Sequence, residues 1–122
     1  MHIISKFRIK YNGIISVYCP YVQDNVLFTS SGFKHLIWKS NRSMRSIGSI
    51  IDRCNSLGMT IEIIAKTHTL QEYEKIETGE YLCFIAIIKD KKYKVVILKK
   101  NAGGYKFISV IPKWKTGKRD TV

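Results

Sequence analysis

His35, Lys39, Arg42 and Arg45 fall within one short stretch of this 122-residue chain. Histidine takes or gives a proton near neutral pH because its ordinary pKa is about 6.5. Fixed positive charge beside it disfavours the imidazolium and leaves a neutral ring able to act as a base. An imidazole set among cations matches the needs of RNA cleavage without a metal. A base removes the proton of the 2′-hydroxyl, an acid protonates the leaving 5′-oxygen, and cations stabilise the charge building on the phosphate.

That chemistry needs a scaffold. Ser30 or Ser31 can cap a helix whose apolar positions Phe33, Leu36 and Ile37 face the core. If this helix continues through Arg42, then His35, Lys39 and Arg42, spaced i, i+4 and i+7, share its other face with Lys34 nearby. Arg45 joins them from the start of a second helix, expected from residue 41 or 43 to residue 57. Its stripe is Met44, Ile47, Ile50, Ile51, Cys54 and Leu57, with Gly58 as the stop and Gly48 an unfavourable interior residue. The same spacing also fits a solvated basic helix face that happens to carry a surface histidine.

Around these helices the chain reads as strands. Residues 3–10 and 14–18 are β-rich and flank Asn12-Gly13, which predicts an N-terminal β-hairpin. Residues 60–65 read as a short strand and residues 67–79 as an acidic loop or ragged helix. Residues 81–89, 92–98 and 105–111 read as a meander joined by tight turns. The expected fold is α+β: an N-terminal hairpin and two helices on one face of a roughly four-stranded antiparallel sheet. Strict alternation along the last strand puts Phe107, Ser109 and Ile111 on one face and Ile108 and Val110 on the other. Ser109 is then either a satisfied core hydroxyl or a phosphate contact. Trp114, bracketed by Lys113 and Lys115, either stacks on a base or plugs the sheet end, and Trp38 poses the same choice.

Formal net charge is +12. By segment it is +6 over residues 1–61, −3 over 62–80 and +9 over 81–122, a basic surface with an acidic edge. Such charge on a small domain calls for an anionic partner. Lys94, Lys99 and Lys106 lie on the meander strands, where lysines also discourage edge-to-edge aggregation. The three cysteines, Cys19, Cys54 and Cys83, are widely spaced in apolar surroundings. They read as buried reduced thiols, which favours a cytoplasmic setting. His2-Ile3-Ile4 is too short for the apolar part of a signal peptide, and no apolar run approaches membrane-span length, so no membrane partner is expected. No metal-ligand spacing, nucleotide-binding loop or cofactor motif is present, so no metal and no cofactor are expected. His68, beside acidic residues, reads as a surface residue.

The order Phe28-Thr29-Ser30-Ser31-Gly32-Phe33-Lys34-His35-Leu36-Ile37-Trp38-Lys39, an Arg-rich helix, then Tyr81-Leu82-Cys83-Phe84-Ile85-Ala86, Tyr93-Lys94-Val95-Val96-Ile97-Leu98 and Gly104-Tyr105-Lys106-Phe107-Ile108-Ser109-Val110-Ile111-Pro112 resembles a known group. It is similar to the barnase/EndoU/colicin/RelE-like small ribonucleases, in particular their phage and mobile-element branch, over residues 26–115. The resemblance implies N-terminal helices on a four-stranded antiparallel sheet, and metal-independent RNA cleavage by a toxin restrained by an immunity or antitoxin protein. It implies His35 as the helix histidine, Lys39, Arg42 or Arg45 as the basic helper, and Ser109 as the strand hydroxyl. Two departures stand out: the extra N-terminal segment, and Ile97-Leu98-Lys99 where the group carries a cation on the strand before the glycine turn.

The expectation is therefore a single domain with an added hairpin over residues 1–20, a ribonuclease-like core over 26–115 and a basic tail over 113–122. It acts as a cytoplasmic toxin on RNA, tRNA or mRNA, with an acidic antitoxin or immunity protein as its partner. His35, Lys39, Arg42, Arg45 and Ser109 form the catalytic set. Lys34, Lys94, Lys99, Lys106, Lys113 and Trp114 bind RNA. The alternative is a non-catalytic basic nucleic-acid-binding module, distinguished by steep salt dependence and no cleaved product. A third reading, a domain docking an acidic protein, predicts no RNA binding at moderate salt.

Overall fold

A computed structural model describes residues 2–69 and 72–112. The fold is α+β, with a mostly antiparallel six-stranded sheet and a separate two-stranded one. Its elements are α1 (Ile3–Asn12), β1 (Ser16–Cys19), β2 (Asp24–Leu27), α2 (Ser30–Ile37), β3 (Trp38–Ser40), β4 (Ser43–Met44), α3 (Ile47–Asn55), α4 (Leu57–Lys66), β5 (Glu72–Ile76), β6 (Gly79–Ile88), β7 (Lys91–Lys100) and β8 (Tyr105–Ile111).

The N-terminus is not the expected hairpin. Ile4, Phe7 and Tyr11 recur at helical spacing and pack on the core, and this burial period outweighs the β-propensity of the segment. His2 Nδ1 accepts the Ile4 amide at 3.2 Å and caps α1. Gly13 has φ −75° and ends the helix by donating to the carbonyls of Ile9 and Lys10, so Asn12-Gly13 forms no hairpin turn. The hairpin is instead β1 against β2.

The middle of the chain departs similarly. Helix α2 stops at Ile37, because Trp38 is extended and begins the β3–β4 hairpin. Ser40, Asn41 and Ser43 are poor helix formers, and at this position they favour a turn. Lys39 and Arg42 therefore do not continue the helix face that carries His35. Met44 and Ile47, expected in the second helix's buried stripe, are exposed. That helix starts only at Ile47, breaks at Ser56 and resumes as α4 through Gly58. Residues 60–65 are helical because Thr60, Ile63 and Ile64 bury one face. Glu72–Ile76 is a strand, paired with β6, rather than a loop.

The β6–β7–β8 meander forms as expected. Its first turn is the residue pair Lys89-Asp90, with φ 50° and 65°, the left-handed conformation of a two-residue hairpin. The sheet order is β1-β2-β8-β7-β6-β5, six strands where four were expected. Beyond the three meander strands the sheet gains three: the acidic strand β5 at one edge and the β1–β2 hairpin at the other.

One sheet face carries the main core. Phe84, Val95, Ile97, Phe107 and Val110 meet apolar residues of α1 to α4 there. On the opposite face Val96, Leu98 and Ile108 form a smaller cluster. A bulge in β8 changes the expected alternation. Ile97 pairs with Phe107 and Val96 with Ser109, which leaves Ile108 as the extra residue. Cross-strand partners share a face, so Ser109 lies opposite Phe107 rather than beside it. Cys19 and Cys54 are buried free thiols and Cys83 is half-buried. Burial pushes the Cys54 thiol up to about 11.

Strand β2 runs parallel to β8 only at Val26–Tyr105 and Leu27–Lys106, and beyond that point α2 lies along β8. The approach is close. A Cβ on Gly32 would collide with the Tyr11 hydroxyl and would stand 2.8 Å from both the ring and the carbonyl oxygen of Phe107. Tyr11 is 1% exposed, its hydroxyl donates to the Thr29 carbonyl at 2.6 Å, and its ring meets Phe28, Phe33 and Phe107. Gly32→Ala is expected to lower stability by about 1–3 kcal/mol through overpacking. Gly58→Ala, with nothing within 4 Å of the new methyl, should raise it by about 0.5–1 kcal/mol. Urea unfolding of the two variants checks the opposite signs.

Candidate active site

The last turn of α2 carries His35, and the chain that follows folds back over it. The Arg45 amide donates to the Ile37 carbonyl and its Nε to the His35 carbonyl, both at 2.9 Å. A guanidinium thus satisfies a helix-end carbonyl that has no intrahelical donor. Arg45 is only 8% exposed, and its Nη2 is buried with no hydrogen-bond partner among the described residues. Such an orphaned donor costs about 1–3 kcal/mol. Burial also lowers the Arg45 pKa, although a guanidinium stays charged.

Arg53, on α3, is equally buried. Its Nη1 donates to Ser109 Oγ at 3.2 Å and to the Val110 carbonyl at 2.9 Å, tying α3 to β8. Lys106, on β8, reaches Ser31 Oγ at 3.2 Å. Burial, then the neighbouring Lys100, lowers the Lys106 pKa. His35 lies in the field of all three cations. Desolvation first, then Arg45, Lys106 and Arg53, hold its pKa below the ordinary value. The residue as a whole is exposed. The ring therefore reaches solvent while enough protein surrounds it for desolvation to be the larger cause. At neutral pH it is a neutral base.

Two hollows border this ring, and a third lies beyond Lys39. The first, about 700 Å³, lies over the second sheet face. Val96 and Ile108 floor it, Glu72, Glu74 and Lys94 wall it, and His35 stands at its rim. Lys94 Nζ pairs with Glu72 Oε2 at 2.6 Å. The second, about 370 Å³, lies between Ser31, Lys34, His35, Trp38 and Lys39. The third, about 670 Å³, is bordered by Lys39, Arg45, Ser46, Ser49, Asp52 and Arg53. His35 links the first two hollows and Lys39 the second and third.

Of the expected catalytic residues, the fold brings His35 and Arg45 together, and Lys39 borders the second hollow with His35. Ser109 is sealed from solvent and receives the Arg53 guanidinium, so its hydroxyl fixes a cation. Arg42 sits at the exposed β3–β4 turn, where its amide meets Ser40 Oγ at 3.4 Å, and borders none of these hollows. Of the expected RNA contacts, Lys34 borders the second hollow and Lys94 the first. Lys106 joins the cations around His35. Lys99 lies 5.8 Å from the Tyr105 ring centre, away from the site. Lys113 and Trp114 lie outside the described residues. Arg53 was missed. Its signal was an arginine three residues after Ile50 and next to Cys54, inside an apolar stripe. Ser31, Ser46, Glu72 and Glu74 gave no comparable signal.

No group of His, Cys, Asp and Glu able to hold a metal ion occurs among the described residues. None of their helices is long and apolar enough to cross a membrane. No protein-family model matches the chain, and neither a curated protein nor a solved structure shows significant similarity to it.

The imidazole is expected to titrate below 6.5 in an NMR pH series. Lys106→Met, which removes one neighbouring cation, should move the midpoint upward. The linked effect on stability has a definite sign. The unfolded chain binds a proton at His35 more readily than the folded one, so this residue contributes a loss of stability as pH falls below about 6.5 and none above it.

Proposed function

We propose that this protein is a metal-independent endoribonuclease, a cytoplasmic toxin of the barnase/EndoU/colicin/RelE-like kind. Its partner would be an acidic antitoxin or immunity protein. The observation that carries the reading is the solvent-reaching His35 imidazole, kept neutral by partial burial and by Arg45, Lys106 and Arg53. A neutral base beside fixed cations matches the first step of RNA transesterification.

In this reading His35 takes the 2′-hydroxyl proton as the 2′-oxygen bonds to phosphorus. The bond from phosphorus to the 5′-oxygen breaks, leaving a 2′,3′-cyclic phosphate and a 5′-hydroxyl. Lys106, whose ammonium pKa burial already lowers, donates the proton that the leaving oxygen takes up. Arg45 acts on the charge of the non-bridging oxygens through its field. Arg53, held by Ser109 and the Val110 carbonyl, adds its field. Ser109 is thus a positioning residue here, and Lys34 and Lys39 hold the strand on either side.

A non-catalytic RNA-binding module is the second reading. Trp38 is 41% exposed beside Lys34 and Lys39, a stacking surface with phosphate-neutralising charge that needs no proton transfer.

Labelled RNA incubated with the protein in EDTA should yield cyclic-phosphate ends. His35→Ala should slow this by about 10²–10⁴-fold while RNA binding persists. The rate should rise with pH as His35 becomes neutral, with its midpoint below that of an ordinary imidazole. Undiminished cleavage by the variant removes His35 from the mechanism, and binding without any product favours the second reading.

A further inference from the structure

We infer that the third hollow is a binding site for a phosphate group, formed by the first turn of α3 together with Arg45, Arg53 and Lys39. It would hold a non-scissile backbone phosphate of the bound strand. The assignment to an RNA phosphate rests on the nuclease reading, whereas the recognition of phosphate itself does not.

Several independent features converge there. Ser46 caps α3, its Oγ accepting the Ser49 amide at 3.2 Å, and both serines border the hollow. The Ile47 and Gly48 amides belong to a first helical turn, where donors lack intrahelical acceptors and the helix dipole favours an anion.

The second feature is Arg45. It borders the hollow, is more than nine-tenths buried, and its Nη2 finds no acceptor among the described residues. Its Nε is anchored on the His35 carbonyl. Because Arg45 borders the hollow, a phosphate oxygen bound there would supply the missing acceptor. The third feature is charge. Arg45, Arg53 and Lys39 border the hollow against the carboxylate of Asp52. Two guanidiniums beside helix amides suit a tetrahedral oxyanion with several acceptor oxygens. Because Lys39 also borders the hollow next to His35, a strand cleaved at the imidazole could pass a neighbouring phosphate to this site.

The test is an NMR titration of the ¹⁵N-labelled full chain with inorganic phosphate, then with a short oligouridylate. The amides of Ile47, Gly48 and Ser49 and the Arg45 Nε should shift with both. Lys39→Gln should weaken phosphate binding several-fold. Ser49→Glu places a carboxylate in the same first turn. It should weaken phosphate binding at least about tenfold and raise Tm, because the helix end and Arg45 then receive an internal anion. Silent α3 amides in phosphate, or unchanged phosphate affinity in a folded Ser49→Glu protein, would overturn the inference. If those amides stay silent while His35-dependent cleavage proceeds, only this site fails. If they respond and no RNA is cut, the nuclease reading fails and the phosphate site stands.

Discussion

The contact between α2 and β8 at Gly32 is the constraint on which the rest of the arrangement depends. A helix can lie against the free edge of a strand only where a side chain is missing, and Gly32 provides that gap beside Phe107. Tyr11 closes it from the other side, packing its ring on Phe33 and Phe107 and binding the Thr29 carbonyl just before α2. Burial pushes the Tyr11 phenol well above its ordinary range, so it remains a neutral donor. With α2 seated this deeply, its last turn brings His35 over the sheet and its first turn puts Ser31 within reach of Lys106.

Two buried guanidiniums then lock the frame. Arg45 joins the end of α2 to the segment after β4, and Arg53 joins α3 to β8. Burying charge is costly unless hydrogen bonds compensate it. Arg45 Nε meets the His35 carbonyl, and Arg53 Nη1 meets the Val110 carbonyl and the Ser109 hydroxyl. Both guanidiniums, together with Lys106, lower the His35 pKa, so their field reaches the imidazole. The ion pairs Lys66–Glu62 and Lys94–Glu72 involve other cations. Structural support and electrostatic function are carried by the same atoms.

The elements most legible from sequence alone were the ones governed by local rules. The meander strands followed from long β-rich runs broken by short turns, the first expected at Asp90-Lys91 and formed one residue earlier, the second at the glycine turn, so that neighbours in sequence are neighbours in the sheet. The core face of α2 followed from the spacing of Phe33, Leu36 and Ile37. Segments whose local preference and burial pattern disagree were misread. Residues 3–10 and 60–65 are rich in β-branched side chains, yet each buries one helical stripe, and packing prevailed. The acidic edge strand β5 has almost no burial of its own to announce it, and it exists because β6 offers a partner.

The same division holds for the site. The residue types alone determined that a titratable ring would sit near fixed cations, because His35 and Arg45 are close in sequence and the net charge is high. Which cations act on it was decided by tertiary structure. Lys106 arrives from a strand 71 positions later, Arg53 from the next helix, and Arg42, though near in sequence, is carried away by a two-stranded hairpin. Electrostatic influence depends on distance through space and on the water excluded along the way. Neither quantity exists until the chain has closed on itself.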